Sequence, residues 1–244
     1  MDRRQFLRTA SGLFVAAAPA LILPKPVLSQ LSGGVGGFPG PGTVHSAGSS
    51  PATTWDADTP AKKSTRITLS NVNLTARVNT GNYGAVLSEA ATTASQLVYV
   101  EFVIDTVVFG PAVGFGNAST TGLDAQLPGI SSTSTAFYFS NYNGGTFKCV
   151  DSANNDAAVF TVTAGDNVGI AFNTSTGRVW ARKNGGAWSN SGDPAAGTNG
   201  YAVPFAGPYY AIAHGGDTND QVTAKFASSS WTYSAPSGYS QLAA

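Results

Sequence analysis

Cysteine, histidine and glutamate are nearly absent from this chain of 244 residues, which has one Cys, two His and two Glu (Glu89 and Glu101). A lone cysteine excludes an intrachain disulfide and leaves a cysteine-based metal site short of ligands, so Cys149 reads as a small buried hydrophobe in a strand. Any Ser-His-Asp arrangement would have to be built on His214, because His45 lies in a Gly/Pro/Ser-rich stretch, and no Gly-x-Ser-x-Gly elbow is present. Glycoside hydrolysis needs two carboxyl groups close together on one face. The acid nearest Glu101 is Asp105, four residues on and about 13 Å away at strand rise, too far for the usual pair.

Charge is also scarce. Only 11% of residues are charged and the formal net charge is zero. Four of the 13 basic residues but one of the 13 acidic ones precede Gln30, so the remaining body carries 9 basic and 12 acidic residues, a net of −3. A mildly acidic body without a Lys/Arg cluster points away from nucleic acid and from an anionic membrane surface. No apolar run reaches the roughly 20 residues of a stable membrane span. Apart from the N-terminus, no stretch of helical period stands out.

What is present begins with Met1-Asp2-Arg3-Arg4-Gln5-Phe6-Leu7-Arg8, a mostly apolar run from Thr9 to Leu23, and a small-residue exit ending in Val27-Leu28-Ser29. A charged start, apolar middle and small-residue end is the layout of a secretory signal. The paired arginines followed by Phe-Leu resemble the twin-arginine motif of bacterial export signals, with Asp2 in place of Ser or Thr. Residues 1–29 are therefore expected to be an export signal, cut after Ser29 or alternatively after Ala18 or Ala20, with an uncleaved anchor as the other reading. Residues 30–53, rich in Gly, Pro and Ser, bury too little apolar surface to order and read as a linker.

From residue 54 to 244 short segments rich in β-branched and aromatic residues alternate with Gly/Asn/Ser/Thr turns, the spacing of a sandwich or barrel. The expected strands are 66–69, 74–77, 83–87, 97–104, 109–116, 135–140, 147–150, 168–173, 178–183, 209–214, 222–226 and 231–233. Asn79-Thr80-Gly81-Asn82, Asn143-Gly144-Gly145 and Asn184-Gly185-Gly186 supply the positive-φ residues that hairpins require. In the 97–104 strand Val98, Val100, Phe102 and Ile104 share one face, expected to be the core face. Tyr99, Glu101 and Val103 share the other, so Glu101 must meet water or a buried donor.

The stretch Gly165-Asp166-Asn167-Val168-Gly169-Ile170-Ala171, with Gly177 starting a second strand and Asn184-Gly185 closing it, resembles the signature hairpin of SPRY domains. Tyr99-Val100-Glu101-Phe102, Val113-Gly114-Phe115-Gly116 and Tyr209-Tyr210-Ala211-Ile212 resemble further strands of that family, and residues 184–199 and 233–240 look like its bacterial and phage versions. The resemblance covers 55–242. It implies an all-β fold, a bent antiparallel β-sandwich related to the concanavalin A-like jelly roll. It also implies a module that binds, mostly proteins, through loops at one end and has no family catalytic residue. Ala181 stands where the family carries an aromatic, and Trp180 lies on the opposite face; filling the core with Trp180 would need a register shift. Asp166 and Arg182 read as turn and solvent-face residues.

Loop aromatics beside Asn and Gly offer rigid contact area flanked by adaptable hydrogen bonds, as paratopes and sugar platforms do. The candidate ligand-binding residues are therefore Asn141, Tyr142, Asn143, Trp188 and Tyr201, with Trp188 alternatively tucked under its own loop. The acids of 151–156 and 217–220 could offer oxygen ligands to calcium but match no calcium-loop spacing, and read as polar turns. No catalytic residue, metal or cofactor is expected. The expected function is an exported, non-catalytic binding module whose partner is a protein or a surface glycan. A phage-derived tail or surface-assembly component and, more remotely, a glycan-active enzyme are the other readings. Oligomeric state is not legible.

Overall fold

The computed structural model describes residues 52–130, 135–141, 146–150 and 157–244. The expected export signal, the linker up to residue 51, His45, Tyr142, Asn143 and the 151–156 loop lie outside these residues. Among the described residues there are thirteen strands: β1 (Ile67–Ser70), β2 (Thr75–Val78), β3 (Gly84–Ala91), β4 (Leu97–Thr106), β5 (Ala112–Asn117), β6 (Ala136–Ser140), β7 (Thr146–Val150), β8 (Ala157–Thr161), β9 (Asn167–Asn173), β10 (Arg178–Lys183), β11 (Tyr201–Ala202), β12 (Tyr209–Gly215) and β13 (Gln221–Lys225). They form two antiparallel sheets. One has the order β1-β2-β13-β4-β9-β10-β11 and the other β3-β12-β5-β6-β7-β8.

Side-chain alternation decides which faces meet. Val98, Val100, Phe102 and Ile104 of β4, with Val168, Ile170 and Phe172 of β9, all lie in the main core. Facing them from the other sheet are Val113, Phe115, Phe137, Phe139, Phe147 and Ala211. Phe115 and Phe172 touch across the interface with ring centroids 5.0 Å apart. Each of these fully buried large side chains contributes roughly 1.5–3 kcal/mol of burial. Cys149 is buried in the same core.

Both sheets are also covered on their outer faces. Leu123, Leu127 and Ile130, in the segment between β5 and β6, pack on Ala85, Tyr138 and Ile212 outside the six-stranded sheet. Outside the seven-stranded sheet, Tyr99, Ala171 and Trp180 are covered by Trp188, Trp231, Ala235 and Tyr239. The β9–β10 register pairs Trp180 with Ala171 and Ala181 with Ile170, without a shift. Ala181 therefore faces the main core, while Trp180 fills the outer cluster. Its indole is held by Nε1–H donation to the Thr198 carbonyl (2.7 Å), and a Cβ on Gly192 or Gly200 would fall 2.4 or 2.6 Å from the ring.

Three sequence expectations change. Residues 231–233 are not a strand; Trp231 donates its indole N–H to the Lys225 carbonyl and packs edge-on to Tyr99, so its aromatic character serves a strap lying on the sheet. Strands β8 and β11 were not expected; β8 carries a register irregularity against β7 that turns both Val159 and Phe160 toward the core and erases the period-2 signal. Arg182 is not a solvent-face residue: its guanidinium lies 4.5 Å from the Trp188 ring centroid and donates to Tyr99 Oη (3.0 Å).

Glu101 takes the second of its two expected environments. Fully buried, it accepts from Tyr99 Oη (2.9 Å), Asn167 Nδ2 (2.8 Å) and the backbone N–H groups of Thr232 (2.7 Å) and Tyr233 (2.8 Å). Lys225 Nζ stands 4.0 Å away. A carboxylate of the sheet thus fastens the C-terminal strap to it.

Candidate functional site

The register places the loops 79–83, 107–111 and 216–220 at one end of the sandwich, where β2, β4 and β12 finish. The loops 92–96, 174–177 and 203–208 lie at the other end. The first end holds two of the large exposed hydrophobic side chains among the described residues, Val108 (52% exposed) and Phe109 (43%).

These two apolar residues sit on a loop with an unusual internal support. Asp220, 1% exposed, directs its carboxylate under the loop. Oδ1 accepts from the N–H groups of Val108 (2.6 Å) and Phe109 (3.3 Å). Oδ2 accepts from Gly110 (3.1 Å), Gly216 (2.8 Å) and Asp217 (3.0 Å). Five backbone donors from two loops converge on one buried carboxylate, and charge-assisted bonds of this type are about twice as strong as neutral ones. The Asp220 carbonyl accepts from Val78, and Thr218 Oγ1 donates to the Gly81 carbonyl, tying in the third loop.

Local sequence explains the geometry. Gly110-Pro111 ends the apolar loop before β5 begins at Ala112, so Phe109 is not the strand residue that its β-propensity suggests. A Cβ on Gly216 would come within 2.8 Å of Phe109 Cδ1, and one on Gly215 within 2.4 Å of Val78 Cγ2, so the Gly215-Gly216 pair permits the close approach of ring and backbone. Behind it His214, 2% exposed, accepts from the Leu127 N–H through Nε2 (3.3 Å) and stacks on Tyr83. Burial holds its pKa down at about 4.

Of the five candidate residues expected from sequence, Asn141 alone is described at this end. It is 3% exposed, and its N–H donates to the Pro111 carbonyl at the base of the apolar loop. Tyr142 and Asn143 lie outside the described residues. Trp188 is half-buried on the outer face of the seven-stranded sheet, edge-on to Tyr99. Tyr201 is half-buried on β11, edge-on to Phe139 of the core. The sequence reading missed Val108, Phe109 and Asp220. The signal was available in Gly110-Pro111 as a strand start and in Asp220 as an acid directly before a strand.

The arrangement exposes two apolar side chains on a loop held by buried hydrogen bonds. It presents apolar surface on a pre-ordered backbone, the design of a binding hot spot. Among the described residues no group of three His, Cys, Asp or Glu side chains is placed to hold a metal ion. The acids of 217–220 bond their own backbone instead: Asp217 Oδ1 accepts from Thr218 N at 2.6 Å.

Compared with solved structures, the chain is similar to the SPRY domain of human HERC1, with a TM-score of 0.54 at 14% identity over 70% of this chain and 96% of that one. It also matches stonustoxin, with a TM-score of 0.48 at 15% identity over 71% of this chain and 27% of that one. No protein-family model matches the sequence, and no curated protein matches it significantly. The architecture is that of an all-β SPRY-like sandwich.

Proposed function

We propose that this chain is an exported binding module that recognises a protein through the apolar loop end of a SPRY-like sandwich and acts by binding rather than catalysis. The observation that carries the reading is Val108 and Phe109, exposed on a backbone that the buried Asp220 carboxylate holds in place. Exposed apolar side chains on a rigid loop bind with little ordering cost. Export rests on the Arg3-Arg4-Gln5-Phe6-Leu7 motif and the apolar run behind it. Among the described residues no helix is long and apolar enough to cross a membrane.

The test is a selection of random peptides on the immobilised full chain, each binder then titrated against the double variant Val108→Ser, Phe109→Ser. Binders that lose affinity for the variant while its thermal unfolding is unchanged support the reading. Binders that hold both proteins equally, or none at all, refute it. N-terminal sequencing of the protein recovered outside the producing cell tests export. A start near Gln30 is expected, and an intact Met1 on protein retained inside contradicts it.

A further inference from the structure

The opposite end of the sandwich has a different chemistry. There the 92–96 loop contributes lining to two grooves, of about 510 Å³ and about 410 Å³. No residue lining either groove is charged. The first is walled by the Thr92–Ser95 stretch, Thr174, Ser175 and Tyr209; the second by Gln96, Trp231, Tyr239 and Gln241.

The aromatic side chains have their polar atoms turned inward. Trp231 Nε1 donates to the Lys225 carbonyl (2.9 Å), Tyr239 Oη to the Pro194 carbonyl (3.2 Å) and Tyr209 Oη to the Phe205 carbonyl (2.9 Å). Trp231, half-buried, offers carbon surface to the second groove, whereas Tyr209 and Tyr239, 6% and 9% exposed, offer little. The rims offer amides and hydroxyls: Gln96 Oε1 accepts from Thr93 N (3.0 Å), while its Nε2 is only loosely engaged, 3.5 Å from the Gln241 carbonyl. Ser95 is exposed in left-handed backbone (φ 60°) and lines the first groove.

This combination selects a ligand by exclusion. An ionic ligand would find no counter-charge, and an apolar one would strip water from hydroxyls and amides without replacing their hydrogen bonds. A neutral sugar offers a C–H face for the Trp231 ring and hydroxyls that both donate and accept, matching uncharged grooves rimmed by amide and hydroxyl groups. We propose that the two grooves, one lined by Ser95 and the other by Gln96, form a binding site for an uncharged glycan chain, separate from the apolar loop end. The site is independent of the protein-binding reading above, since it shares no residue with Val108, Phe109 or Asp220.

The experiment is calorimetric titration of the full chain with cellohexaose, maltohexaose, mannohexaose and chitohexaose, and with oligogalacturonate as the charged control. The expected result is saturable binding of at least one neutral oligosaccharide with a change in tryptophan fluorescence, and none of the uronate. Ser95→Asp, which keeps a side chain tolerated at positive φ while adding charge, and Gln96→Glu are each expected to weaken binding about tenfold or more. The Val108→Ser, Phe109→Ser variant is expected to bind the glycan as the wild type does. Absence of binding by all four neutral oligosaccharides, preference for the uronate, or affinity unchanged by Ser95→Asp and Gln96→Glu overturns the proposal. So does a library-selected peptide that depends on Ser95 when no glycan binds.

Discussion

The two ends of this sandwich are built on the same device and display opposite surfaces. At one end the buried carboxylate of Asp220 collects five backbone N–H groups and presents Val108 and Phe109. Toward the other, the buried carboxylate of Glu101 collects the N–H groups of Thr232 and Tyr233 and so fastens the strap that carries Trp231, Tyr239 and Gln241 to the edge of an uncharged groove. A buried carboxylate is tolerable only when its lone pairs are filled. Backbone amides alone fill those of Asp220, while Glu101 takes two backbone amides beside Tyr99 Oη and Asn167 Nδ2, so each charge fixes a stretch of main chain. The difference between the ends lies in what that fixed main chain carries. In a chain with two glutamates and few charges overall, acids placed this way read as architecture before they read as chemistry.

The comparison can be broken most forcefully at Asp220. Asp220→Ala leaves five N–H donors without their acceptor, and a loss of about 4 kcal/mol in denaturant-unfolding free energy is expected. An effect under about 1 kcal/mol would mean that water serves those donors as well as the carboxylate does.

Acid probes the same end by another route. His214 is neutral in the fold with a pKa of about 4 against 6.5 when unfolded. Between those values the unfolded state binds the extra proton, so stability falls as pH drops through the window, by about 3 kcal/mol in all. Unfolding curves at pH 7 and pH 4 check this, and His214→Gln is expected to flatten the slope.

Glu101→Gln sharpens the comparison from the strap side. The amide turns an NH₂ toward donors that need an acceptor, and a loss of about 2 kcal/mol is expected. Exchange should quicken at Thr232 and Tyr233 but not at Val108 or Phe109. This substitution would therefore confound an activity assay that used it as a probe of catalysis, because it disturbs the fold first.

The surface variants come last in stability. Val108→Ser with Phe109→Ser should cost under about 1 kcal/mol and Ser95→Asp under about 0.5 kcal/mol in chemical denaturation, because Val108 and Phe109 are about half exposed and the backbone bonds to Asp220 remain, and Ser95 is exposed. Their effects should be on binding, each at its own end.

Much of the scaffold was legible beforehand. The alternation in β4 and the turns at Asn79–Asn82 and Asn184–Gly186 act locally, and period 2 or positive φ reveals them. Glu101 was recognised as needing either water or a donor; Tyr99 on the same face is a local one, but its two backbone donors lie 131 and 132 residues away in sequence at Thr232 and Tyr233, where no local pattern announces them. Trp180 and Ala181 were read on their correct faces; the missing piece was a second, outer cluster able to take the tryptophan. The 231–233 segment imitates a strand because aromatics favour both strands and packed straps. Candidate site residues were chosen as aromatics beside Asn and Gly, which finds loops but not exposure. Trp188 and Tyr201 lie half-buried against Tyr99 and Phe139, whereas exposed Phe109 stood at the start of the expected 109–116 strand and Val108 just before it.

Native-state hydrogen exchange tests the Asp220 support most directly, by following the amides of Val108, Phe109, Gly110, Gly216 and Asp217. If the carboxylate fixes this loop end, all five exchange slowly in the wild type despite lying outside strands. They should become fast together in Asp220→Asn, while Thr232 and Tyr233 keep their protection. Rapid exchange of those five amides in the wild type, or protection that survives the substitution, would contradict it.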